Sequence, residues 1–202
     1  MDPMERLVEE LKGIMQELFE NCEESDGVYR SFAEHLGVVD TNAIVEAVVE
    51  TGIRPEVPYP AVYIHTTLAQ KIEPDVIPAL LISLNALNHV IASGSFPSFG
   101  SFIFYPPLNQ IYLSYRMPIN IENPDADLDN LRYYLGVLYE QLDLFMDFIL
   151  FTCNSPTPIT ITEYMEYLDT VSDLDDISER SAALKKAIEN FAALEEDSNG
   201  EA

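Results

Sequence analysis

The sequence predicts an α+β protein: an antiparallel sheet packed against helices, with helical N- and C-terminal extensions. Three observations carry this class. Residues 62–68 alternate apolar and polar, two aromatic and β-branched runs flank Pro106-Pro107-Leu108-Asn109, and long segments on either side repeat apolar residues at three- and four-residue steps. Alternation splits a strand's side chains between two faces, whereas the 3.6-residue period gathers them on one stripe of a helix.

Met4, Leu7, Leu11, Ile14, Met15 and Leu18 share one helical face, with Glu5, Glu9, Glu10 and Glu17 mostly opposite. Ser25-Asp26-Gly27 breaks that helix, and Tyr29, Phe32, Ala33 and Leu36 predict a second one ending at Gly37. Residues 42–50 fit either helix or strand; the expectation is a helix with Thr41 as its N-cap. Pro55, Pro58 and Pro60 punctuate the chain, and a strand follows with Val62, Ile64, Thr66 and Leu68 on one side and Tyr63, His65 and Thr67 on the other. A helix over about 75–92 places Pro78 in its first turn, where the missing N–H has no intrahelical partner.

Phe102 and Phe104, then Ile111, Leu113 and Tyr115, predict a β-hairpin with a four- or five-residue loop, ended by Pro118. Asp125, Asp127 and Asp129 load acid into the start of a long helix, where the macrodipole favours it. Its stripe of Leu131, Leu135, Leu138, Leu142, Phe145 and Ile149 should pack on the sheet. Beyond Pro156 and Pro158, Thr162 is expected to cap a helix carrying Tyr164, and a last helix over about 177–194 precedes a polar tail expected to fray. The resulting organisation is a helical segment packing on the core (1–58), an α+β core (59–152) and a C-terminal helical extension with an acidic tail (153–202).

The chain has 202 residues, 48% of them hydrophobic, enough to bury a core and to exclude disorder throughout. Against 10 Lys and Arg stand 35 Asp and Glu, a net charge of −25 that repels phosphate backbones and anionic lipid heads. Nucleic acid and membrane surfaces are therefore not the expected partners. The same acidity also serves solubility or tolerance of high salt. Along the chain the charge is uneven: −10 over 1–58, zero over 59–121, −6 over 122–162 and −9 over 163–202. The neutral stretch is either core or a surface that something covers.

Cys22 and Cys153 are the two cysteines and form no CxxC, which fits a reducing, cytoplasmic setting. The opening MDPMERLVEE has neither the basic nor the apolar region of a signal peptide, and polar residues interrupt both long apolar runs.

His35, His65 and His89 lack HxH or HExxH spacing, so each is expected to stand alone and not to hold zinc. Asp125-Ala126-Asp127-Leu128-Asp129 imitates a calcium loop, but Asn130 replaces the turn glycine and Gly136 stands where a bidentate Glu is needed. Glu20, Glu23 and Glu24 around Cys22 would raise its thiol pKa, and Cys153 ends an apolar helix, so both should be inert. No GxSxG and no phosphate-binding glycine loop occurs. No catalytic, metal or cofactor residue is assigned. The candidate interaction surface is aromatic: Tyr63, His65, Phe102, Phe104, Tyr112 and Tyr115, because Tyr can bury a ring while keeping its hydroxyl wet.

The helix residues 79–88 with Asn85 and Asn88, then Gly94 and Phe96, then Ile111 to Pro118 with its Tyr115-x-x-Pro118 end, followed by an acid-started helix, carry a resemblance. Over residues 59–152 the chain resembles the YbjN family of bacterial sensory-transduction regulators, which look like type III secretion chaperones in fold. The resemblance implies a compact domain that binds proteins instead of transforming substrates. Such chaperones are small, acidic and usually dimeric, and hold an extended partner segment along their surface. Asn85 and Asn88 lie three apart on one helix, and a buried amide needs partners, so they are expected to tie it to neighbouring backbone.

The functional expectation is a non-catalytic cytosolic interaction or chaperone-like module that binds a partner polypeptide or forms a homodimer. The alternatives are an enzyme using His65 or His89 with a carboxylate, and an acidic structural protein with no ligand of its own.

Overall fold

A computed structural model of the chain describes residues 2–37, 40–50, 60–95, 100–120 and 123–160, together with 162–164, 166 and 169. The first helix, α1 (Pro3–Leu18), begins where Asp2 accepts from the Met4 N–H while the Glu5 side chain reaches back to the Asp2 N–H, a capping box that occupies free backbone donors. Leu7, Leu11, Ile14 and Met15 form its buried stripe.

Three strands follow instead of two helices. β1 (Glu20–Ser25), β2 (Val28–Leu36) and β3 (Thr41–Glu50) form an antiparallel meander. Asp26 and Gly27 both adopt positive φ between the paired Ser25 and Val28, the mirror-image turn whose twist matches a two-residue hairpin. This corrects the helix expected over 29–37 and the one expected over 42–50, where Thr41 opens a strand and caps nothing. β2 buries Tyr29, Ser31 and Ala33 and exposes Arg30 and Phe32, an alternation that holds as far as a bulge near His35, whose φ is 59°.

β4 (Ala61–Gln70) pairs with β3 on one side, so β1, β2 and β3 belong to the same sheet as β4, and of the helical segment expected to pack on the core only α1 is helical among the residues described before residue 51. α2 (Ile77–Val90) then crosses over, Pro78 in its first turn, and runs into a π-helical turn at Ile91–Ser95. β5 (Ser101–Tyr105) and β6 (Gln110–Pro118) form the expected hairpin around a 3₁₀ turn, Pro106–Leu108, with Asn109 left-handed at φ 49°. The sheet is six-stranded and wholly antiparallel, in the order β1-β2-β3-β4-β6-β5. The return strand β6 thus lies between β4 and β5.

α3 (Asp125–Thr152) places Leu131, Leu135, Leu138, Leu142, Phe145 and Ile149 in the core, each fully or almost fully buried. Burying a side chain of this size contributes about 1.5–3 kcal/mol. α1, α2 and α3 lie on one face of the sheet, giving two layers with the core between them. Arg132 joins Glu17 at 3.0 Å and Arg6 joins Asp125, which fastens α3 to α1; the Tyr139 hydroxyl donates to the Glu34 carbonyl at 2.8 Å, which fastens it to β2. Gly37 has a φ of 67°, and a Cβ there would run into the buried Asp147 carboxylate.

Past α3, Ser83 of α2 accepts the Ile159 N–H at 2.9 Å, and Tyr164 packs edge-on against Phe148 with ring centroids 5.2 Å apart. The helix here is capped by Thr160, which exchanges hydrogen bonds with Glu163, and Thr162 already lies inside it. The helix expected over 177–194, the tail beyond it and the Pro55-to-Pro58 stretch lie outside the described residues.

Candidate functional site: the uncovered face of the sheet

Strand alternation divides the sheet into a helix-covered face and one that, among the described residues, no helix covers. On the covered face stand Val62, Ile64, Ile111, Leu113 and Phe102, all at most 2% exposed. On the other, side chains in cross-strand register form rows. One row runs across all six strands as Glu23, Arg30, Glu46, His65, Ser114 and Ser101. Beside it runs an apolar row of Phe32, Ile44, Thr67, Tyr112 and Ile103. Phe32 and Ile103 are exposed large hydrophobic side chains, and none of the described helices covers them.

The six aromatic-surface residues expected from sequence are divided by this geometry. Tyr63, His65 and Tyr112 share the uncovered face. Phe102, Phe104 and Tyr115 occupy the opposite register positions and turn to the helices, Phe102 edge-on to Phe145 at 6.3 Å and Tyr115 edge-on to Tyr134 at 6.4 Å. The sequence alternation fixes that the two sets must separate, and burial shows which way.

His65 and Tyr112 are stacked with centroids 4.4 Å apart and planes inclined at 31°, and Tyr105 meets Tyr112 edge-on at 6.3 Å. The Tyr63 hydroxyl lies 3.3 Å from the His65 Nδ1 and accepts from the Ser114 hydroxyl at the same distance. The Arg116 guanidinium sits over the Tyr63 ring, 5.1 Å from its centroid, and joins Glu50 at 2.8 Å. Burial holds the His65 imidazole below its ordinary pKa, partly countered by Glu46, so it is neutral at pH 7. Glu46, the carboxylate directly opposite, is itself bonded by Arg30, whose Nε donates at 2.8 Å.

Where the β1–β2 turn meets this face, a concavity of about 500 Å³ opens between Glu23, Asp26, Arg30, Glu46, Tyr63 and His65. Arg30, Glu46, Glu23 and Arg116 were not among the sequence candidates. Glu23, Arg30 and Glu46 share a face only once 20–25, 28–36 and 41–50 are strands, with the Asp26-Gly27 dipeptide as the signal that marks the hairpin, whereas Arg116 stands on the expected strand β6.

The other candidates for chemistry are dispersed. His35 is exposed and bonded to Asp40 at 2.6 Å, and His89 is exposed in the last turn of α2. Among the described residues no three His, Cys, Asp or Glu side chains converge on a metal position. Asp125 engages Arg6, and Asp127 accepts the Asn120 N–H at 2.7 Å, so the calcium-like acids serve the start of α3. Burial pushes the Cys153 thiol up to about 12, and burial, with Glu24 adding and Lys12 opposing, also raises Cys22, so neither offers a thiolate.

Asn88 acts as expected. Its amide donates to the Phe102 carbonyl at 2.8 Å and accepts the Phe102 N–H at 2.9 Å, closing a two-bond clamp on the edge strand β5. Asn85 instead faces outward and is exposed.

No described helix is long and apolar enough to cross a membrane. Compared with protein-family models, with curated proteins and with solved structures, the chain has no significant match.

Proposed function

We propose that the chain is a non-catalytic protein-interaction module of the secretion-chaperone kind, which holds a partner polypeptide against the uncovered face of its sheet. The observation that carries this reading is the helix layer's one-sidedness: six strands present a second face with Phe32, Ile103 and Tyr105 exposed and no described element over it. Isolated exposed apolar side chains are ordinary on a monomer, but here Phe32, Ile44, Tyr112 and Ile103 share one cross-strand row, and contiguous apolar surface is the form interaction sites take. The resemblance of residues 59–152 to the YbjN family agrees with this reading, as does the cytosolic setting inferred from two unpaired cysteines.

The test compares the wild-type chain with Phe32→Glu/Ile103→Glu, two exposed positions at opposite ends of the apolar row. Light scattering after size exclusion measures self-association, and affinity capture measures hetero-association. The reading expects a partner polypeptide, or a second copy, held by the wild type and released by the variant, with thermal melting little changed. A wild type that is strictly monomeric, and whose captured proteins are the same as the variant's, sinks it.

A further inference from the structure

The corner concavity has a chemistry that the rest of the uncovered face lacks. Three acidic residues of the uncovered side, Glu23, Asp26 and Glu46, line it with one arginine, Arg30; Glu24 also borders it but shares the register of the buried Tyr29 and meets Lys12 of α1. Arg30 is already bonded to Glu46, and Lys12 approaches Glu24 at 3.6 Å, which leaves Glu23 and Asp26 without an ion-pair partner among the described residues. His65 does not offset them, because its burial keeps the ring neutral. Beside the acids the lining is apolar and aromatic, contributed by the cross-strand row Val28, Val48 and Tyr63.

We propose that this concavity seats a lysine or arginine side chain of a basic, extended polypeptide segment laid across the uncovered face. The proposal rests on the interaction reading above and adds the partner's chemistry. An arginine or lysine has an aliphatic stem and a charged head, so it needs apolar surface beside carboxylates, and here the row Val28, Val48 and Tyr63 runs alongside the row that begins at Glu23. The chain already places a guanidinium on Tyr63 from the neighbouring strand, where Arg116 lies 5.1 Å from the ring. A second copy of the chain is a poor occupant, since two bodies of net charge −25 repel, whereas a basic segment is drawn in from a distance.

The probe is a short peptide alternating valine with arginine, beside its twin in which uncharged citrulline replaces each arginine. Binding to the full chain at physiological salt is followed by fluorescence anisotropy, and the site by amide chemical shifts. The arginine peptide is expected to bind about tenfold tighter than the citrulline peptide, because two carboxylates, Glu23 and Asp26, face its charge. Its shifts should centre on Glu23, Asp26 and Tyr63. Glu23→Gln/Asp26→Asn should abolish the preference, and Glu10→Gln/Glu140→Gln, which removes the same charge from exposed helix positions, should leave it. Equal affinity for the two peptides, with shifts still on the uncovered face, overturns the cationic preference and leaves the face an interaction surface. An equal loss in both variants overturns it as well, since a general field then accounts for binding. Absence of shifts on this face with either peptide overturns the seat and counts against the interaction reading too.

Discussion

The two faces of the one sheet are built by different rules. The covered face is held by packing: Ile64, Leu113 and Phe102 meet Leu135, Phe145 and Phe148 with almost no exposure, and the buried polar side chains there include Ser31 and Thr66. The uncovered face is held by pairing. Arg30 bonds Glu46, Arg116 bonds Glu50, and His65, Tyr63 and Tyr112 lean on one another, all with part of their surface in water. Packing in a dry interior is sensitive to the loss of a few methylenes, whereas paired surface charges contribute little individually. Stability should therefore reside on one side, leaving the other free to change with a partner.

The sharpest way to break this contrast is to hollow each side in turn. Phe145→Ala on the covered side is expected to cost about 3–5 kcal/mol in denaturant unfolding. Ile103→Ala on the uncovered side is expected to cost under about 1 kcal/mol. Comparable values would show that the uncovered face is as much a core as the covered one. Gly37→Ala probes where α3 reaches the β2–β3 turn: a positive φ together with the clash against Asp147 should cost about 2 kcal/mol or more, seen as a lower melting temperature.

Asn88→Ala tests the edge. Two hydrogen bonds to β5 are lost, with an expected cost of about 1–3 kcal/mol, and the freed Phe102 N–H and carbonyl become available to other chains. Concentration-dependent light scattering on warming, stronger than in wild type, is the second readout.

A double-mutant cycle on Arg30 and Glu46 should give a coupling near 0.5 kcal/mol that shrinks as salt is raised. Smallest is the contribution of His65. Its folded pKa lies below the unfolded value, so on acidification the unfolded chain takes up this proton first, and stability falls as the pH drops through the unfolded value toward the folded one. Between about pH 7 and pH 5, His65→Gln should show a shallower loss of melting temperature than wild type.

The sequence made one side of the molecule far more legible than the other. α1, α2, α3, β4 and the β5–β6 hairpin follow from period, proline position and acid-loaded starts, because in these the buried positions are apolar and the opposite ones mostly polar. In β2 and β3 that correlation fails. Ser31 is buried, Phe32 is exposed, and Ile44 and Val48 stand on the uncovered face, so the spacing of Tyr29, Phe32, Ala33 and Leu36 mimics a helical stripe. The bulge between Ala33 and Leu36 adds a residue and shifts the phase again. The aromatic half of the candidate site was legible for the same reason that β4 was, while its charged half, Arg116 on β6 apart, lay on the strands that were not. A two-faced strand hides its identity when its outer face is itself apolar, and that property is what an interaction surface requires.

The placement of β6 has a consequence for synthesis. β4 ends at Gln70 and its neighbour β6 begins only at Gln110, so the hydrogen-bonding edge of β4 stays open while the intervening 39 residues are made. At about 5–20 residues per second that interval lasts roughly 2–8 s. A nascent chain arrested in this window carries an unpaired, apolar strand edge, and a fragment ending at Asn109 is expected to aggregate where one ending at Cys153 does not. The order of strands thus leaves the ribosome-bound molecule, for a few seconds, with an open edge that the finished one closes with β6.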